Sequence, residues 1–434
     1  MSDLSGRAGK SSDLSLSRDS QDIVSIAIYD TENTMRVVVH DYSGHPGQVH
    51  LSRELARRGH HVVHQYCASY TTGRGATERR QDDPHSFSVH AVELPQEFAR
   101  YSPVARIRQE VSYAIRASNA INAAKPDAAI LSNVPLLSLT LLVCMLKVRR
   151  RPYVFWQQDV YSDAISTVAR HKLGRIGSIV GLASRRCERF VARNARAVIP
   201  ISETFKPQLL AWGVREEKIL VVPNWAAIDE MPMLSKSNAW ARENGLERTP
   251  VVMYAGTLGL KHNPAVLSEI ARNAESGART VVVSQGMGRD WLESNAHDVS
   301  GLMLMDYQPY ERLPEMLATA DILVVLLEQD ASQYSVPSKV LNYLCAGRPI
   351  VAILPSGNSV ARTVAESQAG LVVPPNDVAG AASAVNALLT DATAREQMGR
   401  CARRYAETTF DVASVADRFE IALGASSYSI EPSG

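Results

Sequence analysis

The sequence contains few cysteines and no long apolar run. Five cysteines are scattered through 434 residues without a CxxC pair, which predicts reduced thiols in a cytoplasmic protein and offers no zinc site. The longest apolar run, Val134 to Leu146, has thirteen residues, whereas a helix that spans a bilayer needs about 20. Residues 1–34 lack the apolar core of a secretory signal, so we expect them to form a disordered N-terminal tail.

A large excess of charge of either sign is missing as well. The formal net charge is +1, and 21% of the residues are charged, which argues against nucleic acid as a partner. One stretch departs from this balance, because Lys147 to Arg196 holds twelve basic residues and three acidic ones. It flanks the apolar segments Val134 to Leu146 and Ile176 to Leu182. The pattern predicts peripheral contact with the anionic inner face of the cell membrane, or else a solvated helical face.

Two successive runs of alternating strands and helices fill the rest of the chain. This alternation predicts an α/β protein with two Rossmann-like, doubly wound parallel-sheet domains that face a cleft, and the length suits two domains. We expect an N-terminal domain over residues 35–230, a C-terminal domain over residues 231–408, and a C-terminal helix and tail over residues 409–434.

The most informative motif is YSVPSKVLNYLCAGRP, residues 334–349. Apolar strands are predicted on both sides of it, and the helix between them opens at Pro337-Ser338-Lys339 and ends at Gly347. The N-terminus of such a helix binds anions well. Lys339 in the first turn opposes the preference set by the helix dipole, which favours a bound phosphate there; the alternative is a solvated lysine.

The N-terminal half opens with a similar strand, glycine-containing loop and helix. The strand Arg36 to His40 leads into DYSGHPGQ, where Gly44 and Gly47 would let a ligand approach the backbone closely. The spacing is not GxGxxG, and a tight turn without a ligand is the alternative. Further along, Gly73 to Pro84 is polar and charged and predicts a mobile loop.

Taken together, five segments resemble a retaining nucleotide-sugar glycosyltransferase of family 4 with the GT-B fold, of the polysaccharide-biosynthesis type. In chain order they are GTLGLKHNP, SQGMGR, LPEMLATADILVVLL, PSKVLNYLCAGRPIVA and AGLVVPPND. The resemblance is firmest over Val251 to Phe410 and continues more thinly over Arg36 to Asn224. There, SGHPGQVHLSRELARRGHHV resembles the family's opening loop and helix, and VVPNW its PN turn.

The resemblance implies a site between the two domains that takes a nucleotide-diphospho-sugar donor and a glycan or lipid-linked acceptor, with no metal or other cofactor. It implies Lys261 and Asp159 as catalytic residues and an acceptor or phosphate loop at Gly44, His45 and Gly47. The implied donor-binding residues are Gly256, Thr257, Lys261, Ser284, Gly286, Tyr310, Val336, Pro337, Ser338, Lys339 and Asn342.

The sequence departs from the family pattern at the sugar. The family often carries two glutamates eight residues apart, and the matching positions are Tyr334 and Asn342. Asn342 could still bind ribose hydroxyls, whereas Tyr334 cannot replace a carboxylate. A position that is often His falls at Gln157 or Gln158, beside Asp159. Two alternatives to a hexosyltransferase therefore stay open: a sugar-nucleotide 2-epimerase of the same architecture, and a catalytically degenerate binding protein.

Overall fold

The computed structural model describes residues 34–70, 74–94, 103–259, 262–275, 277–329 and 338–425. Within them the chain forms two six-stranded sheets, and every strand pair in both is parallel. The strands are short apolar runs whose residues are mostly buried on both faces, as expected for parallel sheets with helices on either side. The predicted fold class is confirmed.

The N-terminal sheet has the spatial order β3-β2-β1-β4-β5-β6. Its strands are β1 Arg36–Asp41, β2 His61–Cys67, β3 Phe87–Val92, β4 Ala128–Ser132, β5 Tyr153–Gln157 and β6 Ala197–Pro200. The direction of winding reverses between β1 and β4, and this reversal opens a crevice at the carboxyl ends of those strands.

The C-terminal sheet repeats the arrangement in the order β9-β8-β7-β10-β11-β12. Its strands are β7 Val251–Ala255, β8 Arg279–Val283, β9 Leu302–Met305, β10 Ile322–Leu326, β11 Ile350–Ile353 and β12 Gly370–Val373. Here the reversal lies between β7 and β10, so each sheet has its own crevice.

Helices cover both sheets. They are α1 Pro46–Arg57, α2 Pro103–Ala124, α3 Leu136–Val148, α4 Tyr161–Asn194, α5 Lys206–Ala211, α6 Ala239–Glu243, α7 Ala265–Asn273, α8 Met287–Asn295, α9 Leu313–Thr319, α10 Lys339–Ala346, α11 Ser359–Glu366, α12 Val378–Thr390, α13 Ala392–Thr409 and α14 Val412–Leu423. Among the described helices, none is both long and apolar enough to cross a membrane.

The sequence did not reveal β3. Its residues FSVHAV bury only the two ends, Phe87 and Val92, and leave most of the middle exposed. The strand lies at the sheet edge and pairs with β2 alone. An edge strand of this kind lacks the apolar run that identified the other strands.

The longest helix, α4, is broken at one residue. Gly174 has φ 52° and ψ −121°, which is not helical and which a residue with a Cβ rarely adopts. The two halves fold back on each other so closely that a Cβ on Gly177 would clash with the carbonyl group of Ala169. The sequence predicted only the second half, from Gly177 to Asn194.

The last helix, α14, returns to the N-terminal domain. Arg58 of that domain donates to Asp417 at 2.6 Å and to Glu420 at 2.9 Å, and Phe419 meets Trp156 edge-on at a centroid distance of 4.7 Å. The chain therefore crosses between the two domains a second time, after the linker that follows β6.

Candidate active site

A cleft of about 590 Å³ lies where the two crevices face each other. The C-terminal domain supplies most of its wall, and residues that follow β1 and β2 supply the opposite side. The lining residues are His45, Pro46, Arg74, Gly75, Ala255, Gly256, Thr257, His262, Val283, Tyr307, Gln308, Pro309, Tyr310, Glu311, Leu313, Met316, Leu327, Ser338, Lys339 and Asn342. Most of these side chains are neutral, so the few cationic ones determine the charge of the ligand that the cleft binds.

Among the described residues that line the C-terminal wall, Lys339 supplies the positive charge. It is the first residue of α10, and its ammonium group lies 3.9 Å from the ring centroid of Tyr254 and donates to the Tyr254 hydroxyl. Gly256 follows β7 with φ 140°, and a Cβ there would come within 2.9 Å of Lys339 Cε. The turn after β7 and the start of α10 are thus packed together around one positive charge.

Tyr343 holds the end of β7 in place. Its buried hydroxyl accepts from the Ala255 N–H at 2.9 Å and donates to the Ala255 carbonyl oxygen at 3.1 Å. Pairing between β7 and β10 ends earlier, at Met253. The tyrosine hydroxyl therefore satisfies backbone groups of the last β7 residue at the point where the two strands separate and the crevice opens.

Two more tyrosines form the rim of the donor side. The hydroxyl of Tyr307 is hydrogen-bonded to that of Thr257. The Tyr310 hydroxyl donates to Glu230 at 2.8 Å, and Glu230 also pairs with Arg80 of the N-terminal domain at 2.7 Å. Tyr310 therefore joins the cleft rim to both the linker and the opposite domain.

On the N-terminal side, a buried carboxylate shapes the glycine-containing loop. Asp41 accepts from the backbone N–H of His45 at 2.5 Å and from the Asn133 side chain at 2.7 Å. Gly44, which lies between Asp41 and His45 in the chain, has φ 67°, a value that favours glycine. Burial raises the pKa of Asp41 to about 6, although both hydrogen bonds oppose that shift.

His45 projects from this loop into the cleft. Burial lowers its pKa to about 4, so the imidazole is neutral at pH 7. A neutral ring can accept a proton or donate a hydrogen bond, which suits contact with a hydroxyl group of an acceptor.

A buried ion pair holds residues 74–84, which are the described part of the loop predicted to be mobile; Gly73 lies outside the described residues. The Arg53 Nε lies 2.7 Å from Asp83 Oδ1, and both side chains are 1% exposed. Arg53 also donates to the carbonyl oxygens of Ala76 and Glu78. This buried pairing carries Arg74 and Gly75 into the cleft, next to His45.

The cleft brings together His45 and six of the donor-binding residues expected from the sequence, namely Gly256, Thr257, Tyr310, Ser338, Lys339 and Asn342. Ser284, Gly286, Gly44, Gly47 and Asp159 do not line it. Gly44 and Gly47 lie in the loop that carries His45. Asp159 lies half-buried between β5 and α4. Lys261, Tyr334, Val336 and Pro337 lie outside the described residues.

The two glutamines before Asp159 do not line the cleft. Gln157 and Gln158 are buried, and the Gln158 side chain forms two hydrogen bonds with Asn224, at 2.7 and 3.2 Å. This reciprocal pair joins the end of β5 to the PN turn of the linker. In the described part of the chain, the Gln158 side chain thus connects two backbone segments.

Sequence reasoning missed Arg74, Tyr254, Tyr307 and Tyr343. Tyr343 follows Lys339 by four residues, so the two share one helix face, and that spacing could have identified it. Nothing local reveals Tyr254, since its contact with Lys339 joins residues 85 positions apart. Within the described ranges, no group of three or more His, Cys, Asp or Glu is placed to hold a metal ion.

Comparison with known proteins agrees with this architecture. A family model described as a glycosyl transferase 4-like domain matches residues 46–225, and one described as glycosyl transferases group 1 matches residues 249–391. Glycogen synthase from Mycobacterium tuberculosis is 25% identical over 264 residues, which cover 58% of this chain and 60% of that protein. The chain thus spans about three fifths of that curated relative's length.

Among solved structures, Anabaena HepE in complex with UDP-glucose has a TM-score of 0.66 at 15% identity, and the match covers 90% of this chain and 100% of the HepE chain. WaaG, a glycosyltransferase involved in lipopolysaccharide biosynthesis, has a TM-score of 0.64 at 16% identity, and the match covers 89% of this chain and 100% of the WaaG chain. Two facing Rossmann-type sheets with a cleft between them define the GT-B class. With both domain models matched in order, the chain belongs to the family 4 glycosyltransferases.

Proposed function

We propose that the protein is a retaining hexosyltransferase that moves a sugar from a nucleotide-diphospho-sugar to a glycan or lipid-linked acceptor, in the biosynthesis of a surface polysaccharide. The observation that carries the proposal is the position of Lys339 at the start of α10, beside Gly256 and inside the cleft. A helix N-terminus and an ammonium group at one point form a site for a diphosphate.

The reaction requires such a site. When the bond between the sugar and the diphosphate breaks, negative charge grows on the leaving group, and preorganised positive groups stabilise it. We propose that Lys339, Lys261 and the first turn of α10 carry out this task without a metal. Asn342 lies one turn further along α10 and lines the same cleft, which suits hydrogen bonds to ribose hydroxyls.

The acceptor would enter from the N-terminal side. His45, Arg74 and Gly75 line the cleft there, and the neutral imidazole of His45 can bind a sugar hydroxyl. The solved structure of HepE contains UDP-glucose and WaaG acts in lipopolysaccharide biosynthesis, which supports a nucleotide-sugar donor and an acceptor that ends in a lipid.

We further propose that the protein works in the cytoplasm, at the inner face of the cell membrane. The basic excess over Lys147 to Arg196 supports this location, since clustered Lys and Arg side chains are attracted to anionic lipid.

The test is an assay of nucleoside diphosphate release from a panel of nucleotide-hexoses, with and without glycan and lipid-linked acceptors. We expect release that depends on an acceptor, and a product whose anomeric configuration matches the donor when measured by NMR. Tight nucleotide binding without turnover would instead indicate a binding protein. Conversion of one nucleotide-sugar into another without any acceptor would indicate an epimerase.

A further inference from the structure

The α4 hairpin consists of residues 161–173, the chain reversal at Gly174 and residues 175–194. Its base is fixed by Glu188 in the second arm, which accepts from the backbone N–H groups of Tyr161 at 3.0 Å and Ser162 at 2.7 Å at the start of the first arm. Glu188 is fully buried. A carboxylate at this position satisfies N–H groups that otherwise have no partner within the helix.

Contacts continue along the hairpin towards its tip. Asp163 pairs with Arg185 at 3.2 Å, and further out a Cβ on Gly181 would lie 2.6 Å from Ser166 Oγ. Small residues at the crossing points let the two arms touch along their length. The hairpin is therefore a packed antiparallel pair of helices, with a defined direction.

That direction follows from where the arms begin and end. The first arm starts just after the carboxyl end of β5, and the second ends just before the amino end of β6. Tyr153, the first residue of β5, donates to the Val191 carbonyl oxygen at 2.6 Å, so the end of the second arm lies beside the amino end of the sheet. The tip must then project past the carboxyl edge, by up to about 20 Å for a first arm of 13 residues. This is the edge that faces the cleft.

The outer part of the α4 hairpin exposes large apolar side chains. The exposed fractions are 48% for Val168, 53% for Leu173, 64% for Ile176, 69% for Ile179, 37% for Val180 and 50% for Leu182. Single exposed apolar residues are ordinary, but a concentration of them at a projecting tip indicates an interaction surface.

The charge of the same segment has one sign. Residues 164–184 contain no aspartate or glutamate, and they contain three basic residues, Arg170, Lys172 and Arg175. Arg170 and Arg175, on either side of the reversal at Gly174, are exposed and form no ion pair within the described part of the chain. Asp163, the nearest carboxylate before the segment, is already paired with Arg185. The hairpin tip is thus both apolar and uniformly basic.

We propose that the α4 hairpin binds the surface of an anionic lipid bilayer, with its apolar tip in the headgroup region and its arginines on lipid phosphates. An apolar tip ringed by cations matches the chemistry of that interface. Because the tip lies on the cleft side, binding turns the acceptor side of the cleft towards the membrane. The proposal rests on the proposed function for the lipid-linked acceptor and the membrane location, and it assigns the membrane contact to one element.

The experiment is sedimentation of the full chain with two kinds of vesicle. One contains phosphatidylcholine alone, and the other also contains about 30% phosphatidylglycerol, an anionic lipid. We expect binding to the anionic vesicles that weakens as salt rises, since charges are screened over about 8 Å at physiological ionic strength. Replacing Arg170 and Arg175 by Gln should weaken binding about 30-fold, or about fivefold for each charge. Ile176→Ser with Ile179→Ser should weaken it by about tenfold or more.

A matched control variant carries Ile115→Ser and Val148→Ser. These side chains are 48% and 85% exposed in the same domain but lie on α2 and α3. We expect the control to bind vesicles like the wild type. Equal loss in the control and the tip variants would overturn the proposal, as would vesicle binding that no tip variant changes. A tip variant that alters the oligomeric state but not vesicle binding would show that the tip meets protein instead.

Nucleoside diphosphate affinity, measured by calorimetry without vesicles, keeps the two proposals separate. We expect the tip variants to bind nucleotide like the wild type, because none of the replaced residues lines the cleft and their side chains are exposed. Nucleotide binding without vesicle binding would contradict the hairpin inference and the proposed membrane location, and it would leave the proposed sugar transfer standing. Vesicle binding without nucleotide binding would contradict the proposed function alone.

Discussion

Replacing Lys339 by Met tests the donor site most sharply. Met keeps much of the apolar length of the side chain and the packing against Gly256, and it removes only the ammonium group. Lys339 already contacts the face of Tyr254 at 3.9 Å and donates to its hydroxyl, so the ammonium group is held in place before a ligand arrives. Such preorganisation means that little side-chain entropy remains to be lost on binding.

The expected loss follows from one charged hydrogen bond. A hydrogen bond to an ionised group contributes about 1.5–3 kcal/mol, which corresponds to an increase of about 10- to 150-fold in the dissociation constant of a nucleoside diphosphate. The parent nucleoside, which has no phosphate, should bind the variant and the wild type equally.

Isothermal titration calorimetry measures both affinities. Lys206→Met is the matched control, since it removes one positive charge from a surface pair with Glu216 in the N-terminal domain, and we expect it to bind nucleotide like the wild type. A change of less than about threefold in Lys339→Met, far below the loss of one charged hydrogen bond, would refute the assignment of Lys339 to the diphosphate.

Three further predictions concern groups around the cleft. Tyr343→Phe leaves the N–H and carbonyl groups of Ala255 without their partner, so urea denaturation should show a loss of about 1–3 kcal/mol in unfolding free energy; unchanged stability would contradict that role. Asn342→Leu should weaken nucleoside diphosphate binding by about 1–3 kcal/mol, whereas Asn342→Glu should be tolerated, and equal affinity in the Leu variant would leave Asn342 as a helix residue only. Burial raises the pKa of Asp41 from 3.8 to about 6. Between these two pH values the folded protein keeps the proton on Asp41, whereas the unfolded chain has lost it. As the pH rises through this range, Asp41 therefore lowers the free energy of unfolding by up to about 3 kcal/mol. The stability of Asp41→Asn relative to the wild type should therefore increase between those pH values, and a constant difference would contradict the pKa of Asp41.

The sequence predicted most of the secondary structure because parallel strands in this fold are short, buried apolar runs. The cap at Gly347 was also predictable, and the structure confirms it with φ 63° and ψ 42°. Lys339 and Asn342 could be placed in a cleft because both lie near the N-terminus of a helix that follows a parallel strand, which is where such sheets bind ligands.

The contacts that complete the site could not be predicted, since they join distant parts of the chain. The pairing of Lys339 with Tyr254 depends on how β7 and α10 pack. The loop that carries Arg74 is polar and charged, which predicted mobility, but the buried pair of Arg53 and Asp83 holds it in place.

The hairpin reversal in α4 had a weaker signal in the sequence. Gly174, Gly177 and Gly181 are spaced three and four residues apart, and small residues at this spacing allow close helix contact. The same glycines in a continuous helix would only lower its stability, so the spacing alone does not distinguish a hairpin from a single helix.

A crystal structure with a bound nucleoside diphosphate is the most direct test of the central claim. We predict that the diphosphate lies between the Gly256 turn and the first turn of α10, within hydrogen-bonding distance of Lys339 Nζ, with the ribose at Asn342. A nucleotide bound instead at the Gly44 loop of the N-terminal domain, or no bound diphosphate at saturating concentration, would contradict it.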